Sequence, residues 1–196
     1  YDSQQGYEKG QSLPSVPPSG QHSQGVDSVW GMESHHSVVQ KQVSTRDYNY
    51  RQATEDMNTL VDVTRGDATT YGEAYHYADN YLTPGSAYDL NPAPESGAFY
   101  ARIRHERYLN GQTQTRAITS SPALSPGMLL KVTGGYEVAD VFAHGVVITA
   151  MHTYARRDKD FAVDFYGIPD SPDFSFRPEP GSRPVMAGTL PARVTS

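Results

Sequence analysis

A chain of 196 residues with 16 Lys+Arg against 22 Asp+Glu has a formal charge of −6, and it contains no cysteine. Without thiols there is no disulfide framework, no thiolate metal site and no cysteine nucleophile. The acidic balance, with only four lysines, argues against a phosphate-tracking surface, because nucleic-acid affinity needs clustered positive charge. No apolar run is long enough to cross a bilayer, so no stable membrane anchor is expected. Apolar residues make up 37% and the mean hydropathy is −0.60, low for this length, so the expected core is concentrated in part of the chain. The chain starts at Tyr1 with no basic-then-apolar leader and stops at Ser196 without a turn. It is therefore expected to be a piece of a longer chain, with no signal peptide in the part seen.

In chain order, residues 3–37 read as loop, rich in Ser, Gln, Gly and Pro, and segment 1–37 is assigned as loop or extended chain. The pattern changes at Val38. Val39, Lys41, Val43 and Thr45 share one side of a strand, with Tyr48 and Tyr50 continuing it. Leu60, Val61 and Val63 mark a second strand, and Glu73 to Tyr77 a third with Tyr75 and Tyr77 on one face. One segment is convincingly helical, residues 96–109. Ser96 caps it, Ala98, Phe99, Ile103 and Leu109 give apolar positions, and Asn110-Gly111 ends it. Arg102, Arg104 and Arg107 lie toward its C-terminal half, where positive charge suits the helix dipole.

After Gly111 the chain is strand-rich. Thr115 to Thr119, Met128 to Thr133, Val146 to Tyr154, Phe161 to Gly167 and Val185 to Val194 are each bounded by turn residues. Gly134-Gly135 reads as a turn between strands. Val146 to Met151 and Phe161 to Tyr166 flank the polar link Arg156 to Asp160, a hairpin signal. Short strands at this spacing favour a small antiparallel barrel or sandwich over a parallel α/β layout. The expected fold class is mainly β with one helix.

Candidate chemistry is thin. Glu33-x-His35-His36 offers three ligands, but adjacent histidines on an extended chain point to opposite sides. His105-Glu106 on the helix lacks the second His of the zinc-protease pattern. His144 and His152 flank a strand and read as structural. Ser120, Ser121 and Ser125 lie among prolines, not in a nucleophile elbow. Asp47, Glu55, Asp56, Asp62 and Asp67 sit in turn-like contexts. No catalytic, cofactor-binding or metal residue is assigned, and no enzymatic activity is expected. The unusual feature is the run Tyr71, Tyr75, Tyr77, Tyr81 and Tyr88. It reads as the cover of a sheet face beside the helix, as a protein interface, or as a platform for stacking on sugars.

The order of segments carries a resemblance. Val43 to Arg51, Tyr75 to Tyr81, the helix Ala101 to Arg107 and Leu124 to Gly134 resemble the VgrG proteins of type VI secretion. The likeness continues through Val147 to His152, Phe165 to Pro169, Phe176 to Pro178 and Arg183 to Thr195, and it covers residues 38–196. It implies a fragment of a phage baseplate hub-like fold. Residues 38–110 would form an outer module, 111–175 a second tube-forming barrel with Gly111 to Asp170 as its main part, and 176–196 a connection toward an OB-fold outside the chain. It further implies a homotrimer that caps a hexameric Hcp-like tube, contacts baseplate proteins and effectors or adaptors, and leaves the cytoplasm by sheath contraction without a cleaved leader. The hub of a contractile phage tail is physically almost the same object, and a tyrosine-rich glycan-binding β-domain is a third reading.

Overall fold

A computed structural model describes residues 4–17, 25–135, 138–182, 184, 185, 187–189 and 191. The elements in chain order are β1 (Glu8–Ser15), β2 (Val29–His36), β3 (Gln42–Arg46), β4 (Asn58–Val61), β5 (Glu73–Tyr77), α1 (Gly97–Asn110), β6 (Thr113–Thr119), β7 (Met128–Gly135), α2 (Asp140–His144), β8 (Val146–Arg156) and β9 (Lys159–Pro169). Single 3₁₀ turns stand at Gln4–Gly6 and Tyr50–Gln52.

Six strands close into a barrel in the order β1-β2-β6-β9-β8-β7. Alternation along β6 shows why: Thr115, Ala117 and Thr119 turn inward and are buried, while Gln114 and Arg116 face out. The interior is filled by Leu13, Val29, Leu130, Val132, Val146, Ile148 and Phe165, with Phe142 of α2 plugging into the same cluster. Each fully buried side chain of this size contributes roughly 1.5–3 kcal/mol of transfer free energy. β1 is the strand that departs from an antiparallel pattern, pairing parallel with both β7 and β2. Its close approach to β7 depends on Gly10, where a Cβ would lie 1.8 Å from the Leu129 carbonyl oxygen.

The second unit is a three-stranded sheet, β4-β3-β5, covered on one face by α1. Val43 and Val61 meet Ala98, Ala101 and Leu109, with Val63 at the margin. The helix begins where the Ser96 hydroxyl accepts the Phe99 N–H (3.2 Å), and Gly111 closes it by donating to the Tyr108 carbonyl. Alanines on the sheet-facing side let the helix lie close to the strands.

A polar strap, residues 171–178, ties this unit to the N-terminal segment. The Gln4 amide donates to the Ser171 and Phe174 carbonyls, the latter at 3.0 Å, and Phe176 N–H donates to the Tyr7 hydroxyl at 2.8 Å. On the helix side the Asn110 amide donates to Ser175 C=O (3.1 Å), and its oxygen accepts Arg177 N–H (2.6 Å). Buried Asn110 is thus satisfied at both ends.

Several sequence expectations change here. The segment 1–37 expected as loop contains β1 and β2, so two of the six barrel strands lie before residue 38. These strands carry few apolar side chains because their contribution is chiefly backbone pairing around Leu13 and Val29. The strand expected from Val38 starts at Gln42, and Tyr50 opens a 3₁₀ turn instead of extending it. The five-residue link expected in the hairpin shrinks to Arg157 and Asp158, since Arg156 pairs directly with Lys159. Gly134-Gly135 ends β7 and is not a turn, and α2 is a second, short helix. For the strand expected at Val185 to Val194, the described positions 185, 187–189 and 191 are not extended into a strand, and the others lie outside the described residues.

Candidate assembly surface

The titratable groups singled out by sequence resolve into structural roles. His105 is fully buried on α1: its Nδ1 accepts Val63 N–H and its Nε2 donates to Gln40 C=O, both at 3.0 Å. That pair of bonds defines the neutral tautomer, and burial pushes the imidazole below its ordinary pKa. Glu106, 1% exposed, is held between Arg102 (3.0 Å) and Arg177. Asp79 takes Arg104, and Asp47 accepts the N–H of Tyr48 (2.7 Å) and of Tyr81 (2.9 Å). Asp62 closes a turn by accepting from Thr64, Arg65 and Gly66, as its turn-like context implied. Asp67 does the same for Thr69, whose hydrogen bonds hold its carboxyl below the usual range.

The histidine groups do not converge. His35 and His36 lie at the exposed end of β2, where His36 Nδ1 meets the Thr113 hydroxyl at 3.1 Å. His144 Nδ1 donates to Asp140 C=O at 2.7 Å, and His152 sits edge-on to Tyr166. Among the described residues no group of three or more His, Asp or Glu side chains is arranged to hold a metal ion. No helix among them is long and apolar enough to cross a membrane.

Among the exposed side chains is a set of tyrosines and large apolar residues. The register places Leu60, Ser44 and Tyr75 in one row across the three-stranded sheet and Asn58, Arg46 and Tyr77 in the next. This is the face away from α1, because Ala74, between Glu73 and Tyr75, packs inward. Tyr75 is 61% exposed and Tyr77 59%, with Tyr48, Tyr50, Tyr71 and Tyr88 exposed nearby in sequence. Tyr81 is the exception at 2%: its ring lies against Gly97 and its hydroxyl donates to Met57 C=O. The tyrosine run therefore splits into one core residue and an exposed set.

A second surface is the outer edge of β8. It pairs with β7 only at Val146 and Val147, and Gly127 N–H donates to Ile148 C=O at 2.8 Å. From Thr149 to Arg156 no neighbour pairs with that edge among the described residues. The tip of the β8–β9 hairpin is exposed on both faces, with Tyr154 57% exposed. A two-stranded ribbon is at best marginally stable alone in water, and a free edge is a pairing template.

The chain thus combines a closed barrel and a helix-covered side sheet with two exposed strand-borne surfaces. Residues 1–158 match the phage tail baseplate hub (GPD) family. The chain belongs to that family. As a hub protein it is also similar to the E. coli c3393 protein, described as a component of the type VI secretion system with structural similarity to the T4 bacteriophage tail proteins gp27 and gp5. The identity is 34% and the TM-score 0.60, over 100% of this chain and 36% of that one. The hub chain thus spans about a third of that relative. A tail protein from Neisseria meningitidis MC58 shares the fold at 9% identity and TM-score 0.50, over 81% of this chain and 44% of that one. No curated protein matches the chain. The mainly β, phage baseplate hub-like fold class expected from the sequence is the one observed, with a closed six-stranded barrel.

Proposed function

We propose that this hub chain is a segment of the spike of a type VI secretion machine, a VgrG-type homotrimer that caps the Hcp-like tube. The observation that carries this reading is the 34% identity, along the whole chain, to a type VI secretion component. In this reading the spike assembles in the cytoplasm on baseplate proteins. It is then driven outward by sheath contraction, without a cleaved leader, to puncture the target membrane with its effectors or adaptors. The role is mechanical and needs neither cofactor nor catalytic residue. The free β8 edge and the tyrosine-bearing sheet face support assembly, since unpaired edges and aromatic patches are where subunits meet.

Sedimentation of the full-length parent at micromolar concentration tests the trimer, which should run at three times the monomer mass. A strict monomer would count decisively against the spike reading. The hub of a contractile phage tail is the second reading, favoured by the family match. The two separate by fractionation: a spike appears in culture medium only when the sheath protein is present, whereas a phage hub co-purifies with phage particles.

A further inference from the structure

Where α1 hands over to β6, a reactive pair of residues is held in an unreactive state. Of the five asparagines in the chain, Asn110 alone is followed by glycine, the neighbour that least hinders attack of a backbone nitrogen on the side-chain amide. That attack needs the Gly111 nitrogen to lose its proton and to meet Asn110 Cγ. Both movements are blocked. Gly111 N–H is donated to Tyr108 C=O at 2.9 Å, and Asn110, 7% exposed, is fixed in the last turn of α1. Its amide nitrogen donates to Ser175 C=O at 3.1 Å and its oxygen accepts Arg177 N–H at 2.6 Å, so the side chain cannot turn toward the backbone while the strap is docked.

The strap is the kind of segment that opens locally. Residues 171–178 form neither helix nor strand, and their ties are side-chain bonds from Gln4, Arg107 and Asn110 to strap carbonyls, the Tyr7 hydroxyl on Phe176 N–H, and the Arg177–Glu106 pair. A segment without a backbone ladder opens at lower free energy than core strands do. With the strap away, the Gly111 nitrogen bonds to Asn110 Cγ, the proton passes to the departing amide, and ammonia leaves a succinimide ring. Water then opens the ring to aspartate or isoaspartate, with no change of oxidation state. Neither product takes the strap back on the old terms. Aspartate has no N–H for Ser175 C=O, sets a carboxylate against that oxygen, and puts negative charge at the C-terminal end of the helix; isoaspartate also lengthens the backbone there.

We propose that Asn110 is a deamidation site gated by the strap, a one-way latch that turns a transient opening of residues 171–178 into a lasting one. It draws on neither the tyrosine face nor the β8 edge, so it stands whether or not the chain trimerises.

The test is peptide mapping by mass spectrometry of the full 196-residue chain, incubated in mildly alkaline buffer. The blocked peptide acetyl-Arg-Tyr-Leu-Asn-Gly-Gln-amide, which copies residues 107–112, is the ungated reference. Asn110 in the chain should convert at least about tenfold more slowly than in the peptide. Glu106→Ala breaks the ion pair of the strap, and Gln4→Ala removes two ties at its other end without touching α1. Each should speed conversion about tenfold while hydrogen exchange in β8 and β9 stays at the wild-type level. Adding Gly111→Ala to Glu106→Ala should abolish the gain; φ of −84° is open to alanine, and a Cβ there approaches no atom closer than the Tyr108 carbonyl oxygen at 3.3 Å. Asn110→Asp, which is one product, should raise exchange at the Phe176 and Arg177 amides about tenfold with the barrel unchanged. Conversion in the chain as fast as in the peptide, acceleration in neither strap variant, or wild-type strap protection in Asn110→Asp would each overturn the proposal.

Discussion

Inside α1, one residue makes stability depend on pH. His105 is neutral and buried because Nδ1 accepts from Val63 and Nε2–H donates to Gln40, and a second proton on Nδ1 would remove the first bond. Burial is the main cause of its lowered pKa in the folded chain, opposed by the bond to Gln40. The unfolded chain takes up this proton near 6.5, the folded chain only at lower pH. Stability is therefore intact above about 6.5 and lost as pH falls from there toward the folded value. His76, also lowered chiefly by burial, acts in the same direction, while Asp67 is depressed from 3.8 and so contributes only at far lower pH. Denaturant melts between pH 7 and 5 should show a falling midpoint. In His105→Gln the slope should flatten without vanishing, and stability at pH 7 should drop by about 1–3 kcal/mol, the cost of stranding a buried donor or acceptor. A slope unchanged by the substitution would place the acid sensitivity elsewhere.

At the scale of elements, α1 is both the cover of the side sheet and the post to which the strap is tied. Glu106 is central to the second role: it is 2% exposed as a side chain, and its two arginines retain about a fifth of theirs. Glu106→Ala leaves two partly desolvated cations without their partner, so we expect a loss of about 3 kcal/mol, the low end for breaking a buried pair. Hydrogen exchange should rise at the Phe176 and Arg177 amides more than within β8 and β9. Equal protection of the strap in the variant would mean that Asn110 and Gln4 hold it unaided. How much of this was legible in sequence follows from what each element uses. α1 showed its cap, apolar positions and stop, and β5 its alternation, which also placed Tyr75 and Tyr77 on one face. β8 and β9 are apolar enough to be read directly, though the hairpin link was overestimated because charged residues also pair within a strand. The strap had no signature: it is held by backbone carbonyls and N–H groups meeting distant side chains. Tyr81 looked like its neighbours, and only the tertiary packing against Gly97 separates it from the exposed set.

At the scale of the whole molecule, the distribution of apolar residues misled the boundary between loop and fold. Glu8–Ser15 carries one core side chain, Leu13, beside buried Ser15, and reads as polar chain. Yet it lies along β7 from Met128 to Gly135, while β2 runs along β6 from Thr119 to Thr113. A barrel distributes its demand for apolar residues unevenly: strands that face the core across a strongly apolar neighbour need only one or two inward side chains, and backbone hydrogen bonds supply the rest. This makes the N-terminal segment testable as structure. A chain starting at Val38 loses two of six strands, the buried Leu13 and Val29, and the bonds from Gln4 and Tyr7 that anchor the strap. It also leaves β6 and β7 with open edges, which invite association. Calorimetry should then show no cooperative barrel transition, together with concentration-dependent aggregation, whereas Val26→Ser, at an exposed position of the intact chain, should melt normally. If the shortened chain keeps the melting temperature of the full one, residues 8–36 are dispensable to the barrel and its closure through β1 and β2 is incorrect.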